Sequence, residues 1–536
     1  MNRILTFVVM GAALLSHCIR AQTAGTATAT ASSRVSSAVS AGQAESTTVV
    51  AGSAQRSAEP LSPLQPTPAS EQNGAKPAPS NGTPAEKTED SDLARIPTQV
   101  KSSTANGAKE KPTGEANERI YLQNAFTQAG QRGGLIVPSP QSNALPPWQE
   151  RVFLDLRKVW RLDDRLNLSL SDRFNLRDQN DISLPNHDNV INDFREGFLS
   201  WQPSDGIYLD LGRINLRSGA ALGFNPTDFF KSRAVVEPLS ADPSVLREDR
   251  LGTLMLEAQY IGRGGALIVA LAPALVRPSP IYTDTNLPSF NPSIDRTNDH
   301  DRILIKGTFS IGSDFNPELF YYREGSQNRF GANLTRGIGQ KTIGYAEWAG
   351  GTGTSLIDEA LRYGRETGTI PANAPSVVPD DANVHLENDL AAGASYTTTN
   401  KIIFNLEYHL HQAGFSRRDW NNWFNIGRGQ PSASLIAAEL WYMRAYALDQ
   451  QVPLTRQSAF LRADWVDAFV PNLEISGFLN TDLFDGSGLI QISADYYVSN
   501  NWTVGAQIDA NAGSRRSDFG SLPQSAGVLF KVARFF

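Results

Sequence analysis

From about Arg119 onward, apolar and polar residues alternate with a period of two. In residues 166–171 every other residue is Leu and the rest are Asn or Ser. Ile303, Ile305, Phe309 and Ile311 share a face against Lys306, Thr308 and Ser310. Ile402, Phe404, Leu406, Tyr408 and Leu410 oppose Asn405, Glu407, His409 and His411. Residues 490–498 and 502–511 repeat the pattern. Successive side chains of an extended chain point to opposite faces, so each segment reads as a strand with one greasy and one polar side. The segments run to about ten residues, the length of a strand crossing a bilayer at a tilt.

A soluble sandwich would also alternate. Its strands are shorter, averaging about five or six residues, and its packed core would not tolerate the charges that recur on the polar faces here. Aromatics also recur near strand ends (Trp160, Trp201, Tyr260, Trp348, Trp465, Trp502), as an interfacial girdle requires. The fold class that follows is all-β: a transmembrane antiparallel β-barrel with an N-terminal disordered extension.

The connections test this topology. Counting back from Phe536, alternate connections are short: 499–501, 470–472, 398–400, 339–341, 313–315, 262–264, 202–205 and 162–164. The long ones fall near 178–190, 218–250, 276–300, 351–388 and 413–456. Such barrels turn tightly on the periplasmic side and loop outside. The spacing marks about 17 strands from residue 151, and an even number is expected, so residues 119–126 add a first strand. The expectation is 16–18 strands, with 18 favoured. A sheet of that size encloses an aqueous lumen. One long connection is helical in composition over 432–449, after the charged and aromatic run 417–423. Residues 417–453 are therefore expected to fold into the mouth as a constriction or lid, or to pack on the rim.

The N-terminal part differs. Met1, Asn2 and Arg3 precede an apolar run over 4–15, which reads as a secretory signal cleaved after Ala21. Cys18 stands where a lipobox cysteine would, but His17 before it is not the small residue lipidation requires. Residues 22–118 are rich in Ala, Ser, Thr and Pro with almost no aromatics, a composition that cannot offset its ordering entropy. The domains are thus a signal peptide (1–21), a disordered periplasmic spacer (22–118) that links or tethers, and the barrel (119–536).

Composition then falls into place. Mean hydropathy is -0.31 and net charge is -7, yet a barrel needs only alternate residues facing lipid. Cys18 is the only cysteine, so the mature chain has no disulfide and no thiol nucleophile. A pI near 5.5 argues against nucleic acid as a partner.

No motif of catalysis or phosphate binding is present, so neither an enzyme nor a cofactor is expected. Glu407, His409 and His411 share one strand face and are weak candidates for a metal; a polar lumen wall is the plainer reading. Asp464, Asp482, Asp495 and Asp509 fall on neighbouring polar faces, with Arg173, Arg177 and Arg462 expected opposite them. Facing charges of opposite sign would filter solutes. At the C-terminus Phe530, Val532 and Phe536 share a face and end the chain on an aromatic, the signal expected by the barrel-assembly machinery.

Phe194-Arg195-Glu196-Gly197-Phe198-Leu199-Ser200-Trp201, the turn over 203–206, then Leu209-Asp210-Leu211-Gly212-Arg213 and Gly219 resemble a strand-turn-strand of alginate-export-type outer-membrane barrels. The resemblance spans about 30 residues and departs at Gly197, Phe198 and Ile214. It implies an outer-membrane barrel with an Arg-lined lumen for an acidic polysaccharide, with Arg195, Arg213 and Arg217 as counterparts, although Arg213 sits off the polar face of its strand.

The expected function is an outer-membrane pore for passive diffusion of small hydrophilic solutes, with selectivity set by lumen charges and an inward-folding loop. The alternative is a dedicated exporter of an acidic envelope polysaccharide. Outer-membrane lipid, the barrel-assembly machinery and the solute or polysaccharide are the expected partners. An Arg ladder along the lumen would favour export, and mixed charge at one constriction would favour the pore.

Overall fold

A computed structural model describes residues 118–140, 146–179, 190–236, 240–281, 291–311, 315–374, 376–379 and 382–536. The signal peptide and all of the spacer before Glu118 lie outside the described residues.

The rest is one closed antiparallel sheet of eighteen strands. These are β1 (Glu118–Gln131), β2 (Trp148–Asp163), β3 (Leu166–Gln179), β4 (Val190–Ser204), β5 (Ile207–Ile214) and β6 (Thr253–Gly262). Next come β7 (Gly265–Ala272), β8 (Arg302–Phe309), β9 (Glu318–Glu324), β10 (Gln327–Ile338), β11 (Thr342–Gly353) and β12 (His385–Thr397). The last six are β13 (Ile402–His411), β14 (Gln457–Trp465), β15 (Leu473–Asp482), β16 (Gly488–Ser499), β17 (Trp502–Ala512) and β18 (Gln524–Phe535). Each strand pairs with its sequence neighbours, and β1 pairs with both β2 and β18, closing the ring. The favoured count of eighteen holds, with the first strand where the even-number argument put it.

The period-2 faces sort as expected. On β13 Leu406 is 61% exposed on the outer surface, and Glu407 beside it is 1% exposed. On β16 Ile492 is 57% exposed and Gln491 1%. The outer face is a belt of Leu, Ile, Val and aromatics, while the buried inner face carries Asp, Glu, Arg, His, Asn and Gln. Trp160, Trp201, Tyr260, Trp465 and Trp502 all lie near the short connections. Trp348 belongs to the opposite half of β11.

Among the described residues five helices interrupt the long connections: α1 (Pro243–Glu248), α2 (Ile294–Thr297), α3 (Leu356–Glu366), α4 (Arg417–Gly427) and α5 (Leu435–Asp449). Residues 417–453 form a helical pair at the mouth. Ser416 caps α4 with a reciprocal capping box through Asp419, and Ser434 caps α5. Trp420 stacks on Trp423 with centroids 5.1 Å apart. The Trp423 indole donates to the Leu440 carbonyl at 2.9 Å. Arg444 lies over Trp420, Trp423 and Trp441 at 5.3, 5.5 and 5.3 Å, and its guanidinium reaches Asp518 at 2.7 Å. The same apolar cluster takes in Val137, Leu222, Leu356, Phe460 and Leu522, so it ties connections from around the mouth to lumen-facing side chains of the wall.

Candidate functional site

The connection between β5 and β6, residues 215–252, does not stay at the rim. It enters the barrel and crosses it, because the far wall offers acceptors for its backbone. The amides of Ala220 and Ala221 donate to Glu347 on β11, the latter at 2.6 Å. The next two amides, of Leu222 and Gly223, donate to the two oxygens of Glu407 on β13 at 2.7 and 2.9 Å. Four consecutive peptide groups thus end on two carboxylates. A buried amide left without an acceptor is costly, so this pairing fixes the path. Gly219 begins the run at φ 84, and a Cβ there would collide with both Glu347 oxygens.

The pinning set has its own supports. Glu407 also accepts from the Tyr345 hydroxyl at 2.7 Å and meets His409 Nε2 at 2.8 Å. His409 Nδ1 meets Ser458 at 3.1 Å. The Phe224 ring lies edge-on to His409 and His411, 5.9 Å from each. Thr227 donates to Asn333 on β10 at 2.8 Å.

Within the segment, Asp228 is clamped by Arg250 through two bonds of 2.9 and 3.0 Å, with Arg247 at 3.5 Å. Burial pushes the Asp228 carboxyl up, but Arg250 and Arg247 outweigh it and hold the group below its ordinary range. Lys231 donates to the Asn225 carbonyl at 2.5 Å and lies 4.4 Å from the Phe224 centroid. Burial pushes it down to about 8 against the pull of Asp228.

The segment then returns along the other walls. Asp242 meets Arg462 on β14 at 2.5 Å, and the Ala241 amide donates to Gln491 on β16 at 3.1 Å. Asp249 meets Arg173 on β3 and Arg195 on β4, both at 2.8 Å. Both arginines also hold Asp155 on β2 at 2.8 Å, with Arg119 3.6 Å away.

The residues singled out from the sequence are therefore placed as follows. Arg173, Arg177 and Arg195 are buried on the β3–β4 wall, and the first and last of them join Asp155 and Asp249. Asp464 meets Arg462 at 2.8 Å, Asp495 meets Lys531 at 2.8 Å, and Asp482 and Asp509 accept from Thr455 and Gln524 at 2.8 and 3.1 Å. The acids do lie on neighbouring strands, β14 to β17. Arg462 does not oppose them; it stands on β14 among them. Nor does β3 oppose β16, since the ring closes between them through β17, β18, β1 and β2. β3 and β4 do stand seven and eight strands from β14 around the ring of eighteen, so the geometry is two clusters of mixed charge on facing walls, bridged by residues 215–252, and not two rings of opposite sign.

Arg213 shares alternation with Leu209 and Leu211, the apolar face of β5. It is buried because two connections cover it: its guanidinium donates to the carbonyls of Gly252 at 2.8 Å and Pro292 at 2.5 Å and lies 5.9 Å from the Phe194 centroid. Glu407, His409 and His411 do not converge on one point. Glu407 turns to the segment and to His409, while His411 Nδ1 meets Asp389 at 2.7 Å. Phe530, Val532 and Phe536 share the outer face of β18 and the chain end, and Arg534 between them lies over Trp502 and Phe536 at 5.5 and 4.9 Å.

Asp155, Asp228, Asp249, Arg250 and Glu347 were not singled out in the sequence. Alternation on β2 and β11 does place Asp155 and Glu347 on the inner face. No local pattern marks the other three, whose burial comes from the path of the segment.

No protein-family model matches the sequence, and no curated protein does. Among solved structures, the fold is similar to two triple mutants of the Rhodopseudomonas blastica porin, each 10% identical at a TM-score of 0.35 over 78% of this chain and 99% of that chain. A structure described as "Asymmetric conductivity of engineered proteins" is similar over the same shares at 9% identity and a TM-score of 0.35.

Proposed function

We propose that the chain is an outer-membrane channel for small hydrophilic solutes. The observation that carries this reading is the inversion of the two surfaces: the ring presents an apolar belt outward, while its Asp, Glu, Arg, His, Asn and Gln side chains gather on the inner face, beside an apolar patch on β6–β9. Only a bilayer makes such an outer belt favourable, and a closed sheet leaves no backbone group unpaired in it. The short connections and Phe536 then lie on the periplasmic side, beside the aromatic residues that mark the interface, and the segment preceding β1 lies in the periplasm. Phe530, Val532 and Phe536 offer the assembly machinery its outward-facing signal.

Selectivity in this reading belongs to residues 215–252 and the charges that hold them, with the helical pair over the mouth. Mixed charge favours the pore over the exporter of an acidic polysaccharide: Arg173 and Arg195 share Asp155 and Asp249 and do not form a cationic ladder. No reaction is assigned. The test is planar-bilayer conductance of the chain without residues 1–21. Stable ohmic steps with weak charge selectivity are expected. A folded, heat-modifiable barrel that never conducts would overturn the reading.

A further inference from the structure

A cavity of about 370 Å³ opens between residues 226–233, α3 and the wall from β9 to β13. Its lining carries seven carboxylates against five Lys and Arg side chains. Most of these are already matched. Arg233 and Arg302 meet Asp299 at 3.0 and 3.2 Å, Arg302 meets Glu324 at 2.8 Å, and Arg329 meets Asp389 at 2.6 Å. Glu359 on α3 and Glu387 on β12 line the cavity and, like Glu366, Lys231 and Arg362 there, take part in no ion pair among the described residues, which leaves three carboxylates against two cations.

A second observation is independent of that charge count. Three buried polar atoms of the lining have no hydrogen-bond partner: Thr354 Oγ1, Glu387 Oε2 and His411 Nε2. Their residues are 8%, 9% and 5% exposed. His411 is oriented through its other nitrogen, which meets Asp389. In the neutral ring with Nδ1–H donating to that carboxylate, Nε2 is an acceptor. All three atoms can therefore accept. Glu359 and Glu387 meet over Gly353: a point at its Cβ position lies 3.5 Å from Glu387 Cγ and 3.7 Å from Glu359 Oε1. Burial pushes the Glu359 carboxyl up, with Arg329 and Arg362 opposing.

We propose that this cavity binds a small organic cation through a primary ammonium group, seated between Glu359 and Glu387 and bonded to Thr354 and His411. An ammonium supplies three donors on one compact charge, which matches several acceptors converging on one space. A metal ion fits less well, because among the described residues no group of three or more His, Cys, Asp or Glu is arranged to hold one. The inference rests on the channel reading and names a class of solute for it.

The test is calorimetric titration of the purified chain in detergent with cadaverine, beside 1,5-pentanediol, glutarate and calcium chloride. Cadaverine is expected to bind at one site. The double variant Glu359→Gln, Glu387→Gln is expected to bind it roughly tenfold more weakly or worse, on the scale of a lost charge-assisted contact, while keeping heat-modifiable mobility as proof of folding. No cadaverine binding, equal binding of pentanediol or glutarate, undiminished binding by the double variant, or displacement of cadaverine by equimolar calcium would each overturn the proposal. Conductance without cadaverine separates the two readings. A conducting barrel that ignores cadaverine sinks only this inference, and a barrel that binds cadaverine without conducting sinks the channel.

Discussion

The barrel is filled twice, by two means. Residues 215–252 cross the lumen on directional polar bonds, four successive amides to Glu347 and Glu407, then Asp242 to Arg462 and Asp249 to Arg173 and Arg195. The helical pair at the mouth is held by aromatic packing around Trp423. The difference follows from the walls. The β10–β14 wall presents Glu347 and Glu407 to the segment, so there the chain satisfies its backbone, while Leu216, Phe229 and Phe230 pack on the apolar inner side chains of β6–β9. Above the strands the connections can bury apolar groups against one another, and packing suffices. Polar pinning fixes one path; apolar packing tolerates changes of shape and yields mainly to loss of volume.

The comparison can be broken most directly by deletion. Replacing residues 219–249 with a short linker should raise single-channel conductance severalfold. Removing 417–453 should raise it less and expose the mouth to protease. Equal increases would mean that the crossing segment is not the constriction. Next in size is Trp423→Ala, which leaves a large void. It should cost about 3–5 kcal/mol of local stability, read as faster proteolysis of α4 and α5 with conductance nearly unchanged. Glu407→Ala strands the Leu222 and Gly223 amides and the Tyr345 hydroxyl, at about 1–3 kcal/mol for each buried group left unmade. Hydrogen exchange at Leu222 and Gly223 should accelerate while the cap stays protected, and gating noise should grow.

The smallest effect is one of pH. The folded chain holds Lys231 down near 8, whereas an unfolded lysine titrates at about 10.4. Between those values the unfolded state binds more protons, so protection of the crossing segment should rise with pH across that window and carry its full penalty below it. Asp228, Asp389, Arg329 and Glu347 act on the same ammonium. Lys231→Met should flatten the rise, and a slope that survives in this variant would assign it to another group.

Much of this was legible from alternation. The strands, their number, the short and long sides and the helix over 432–449 all follow from local pattern, because a strand with one lipid-like face writes its orientation into every second residue. Glu407 on the inner face is read the same way. What alternation could not give was the partner. Glu407 accepts from Leu222 and Gly223, over 180 positions away in sequence, and nothing near either end announces the other. The inward fold was sought in residues 417–453, where aromatics drew attention, while the segment that goes deepest opens with the small residues 218–221. Arg462 was set opposite the acids because sequence shows which face a charge takes but not how far around the ring it stands. Arg213, with the alternation of Leu209 and Leu211, was the one candidate whose misfit could be seen beforehand.

The pairing of β1 with β18 has a consequence in time. Tyr121 lies against Phe535 and Phe126 against Phe530, so the seam joins strands roughly four hundred residues apart, a closure costing on the order of 5 kcal/mol of chain entropy. Because synthesis runs from the first strand to the last, the partner of β1 is the final piece to appear. Until it does, the sheet carries two raw edges able to capture other chains. A ribosome that stopped one strand short would deliver no smaller pore, only a curled sheet with both margins open.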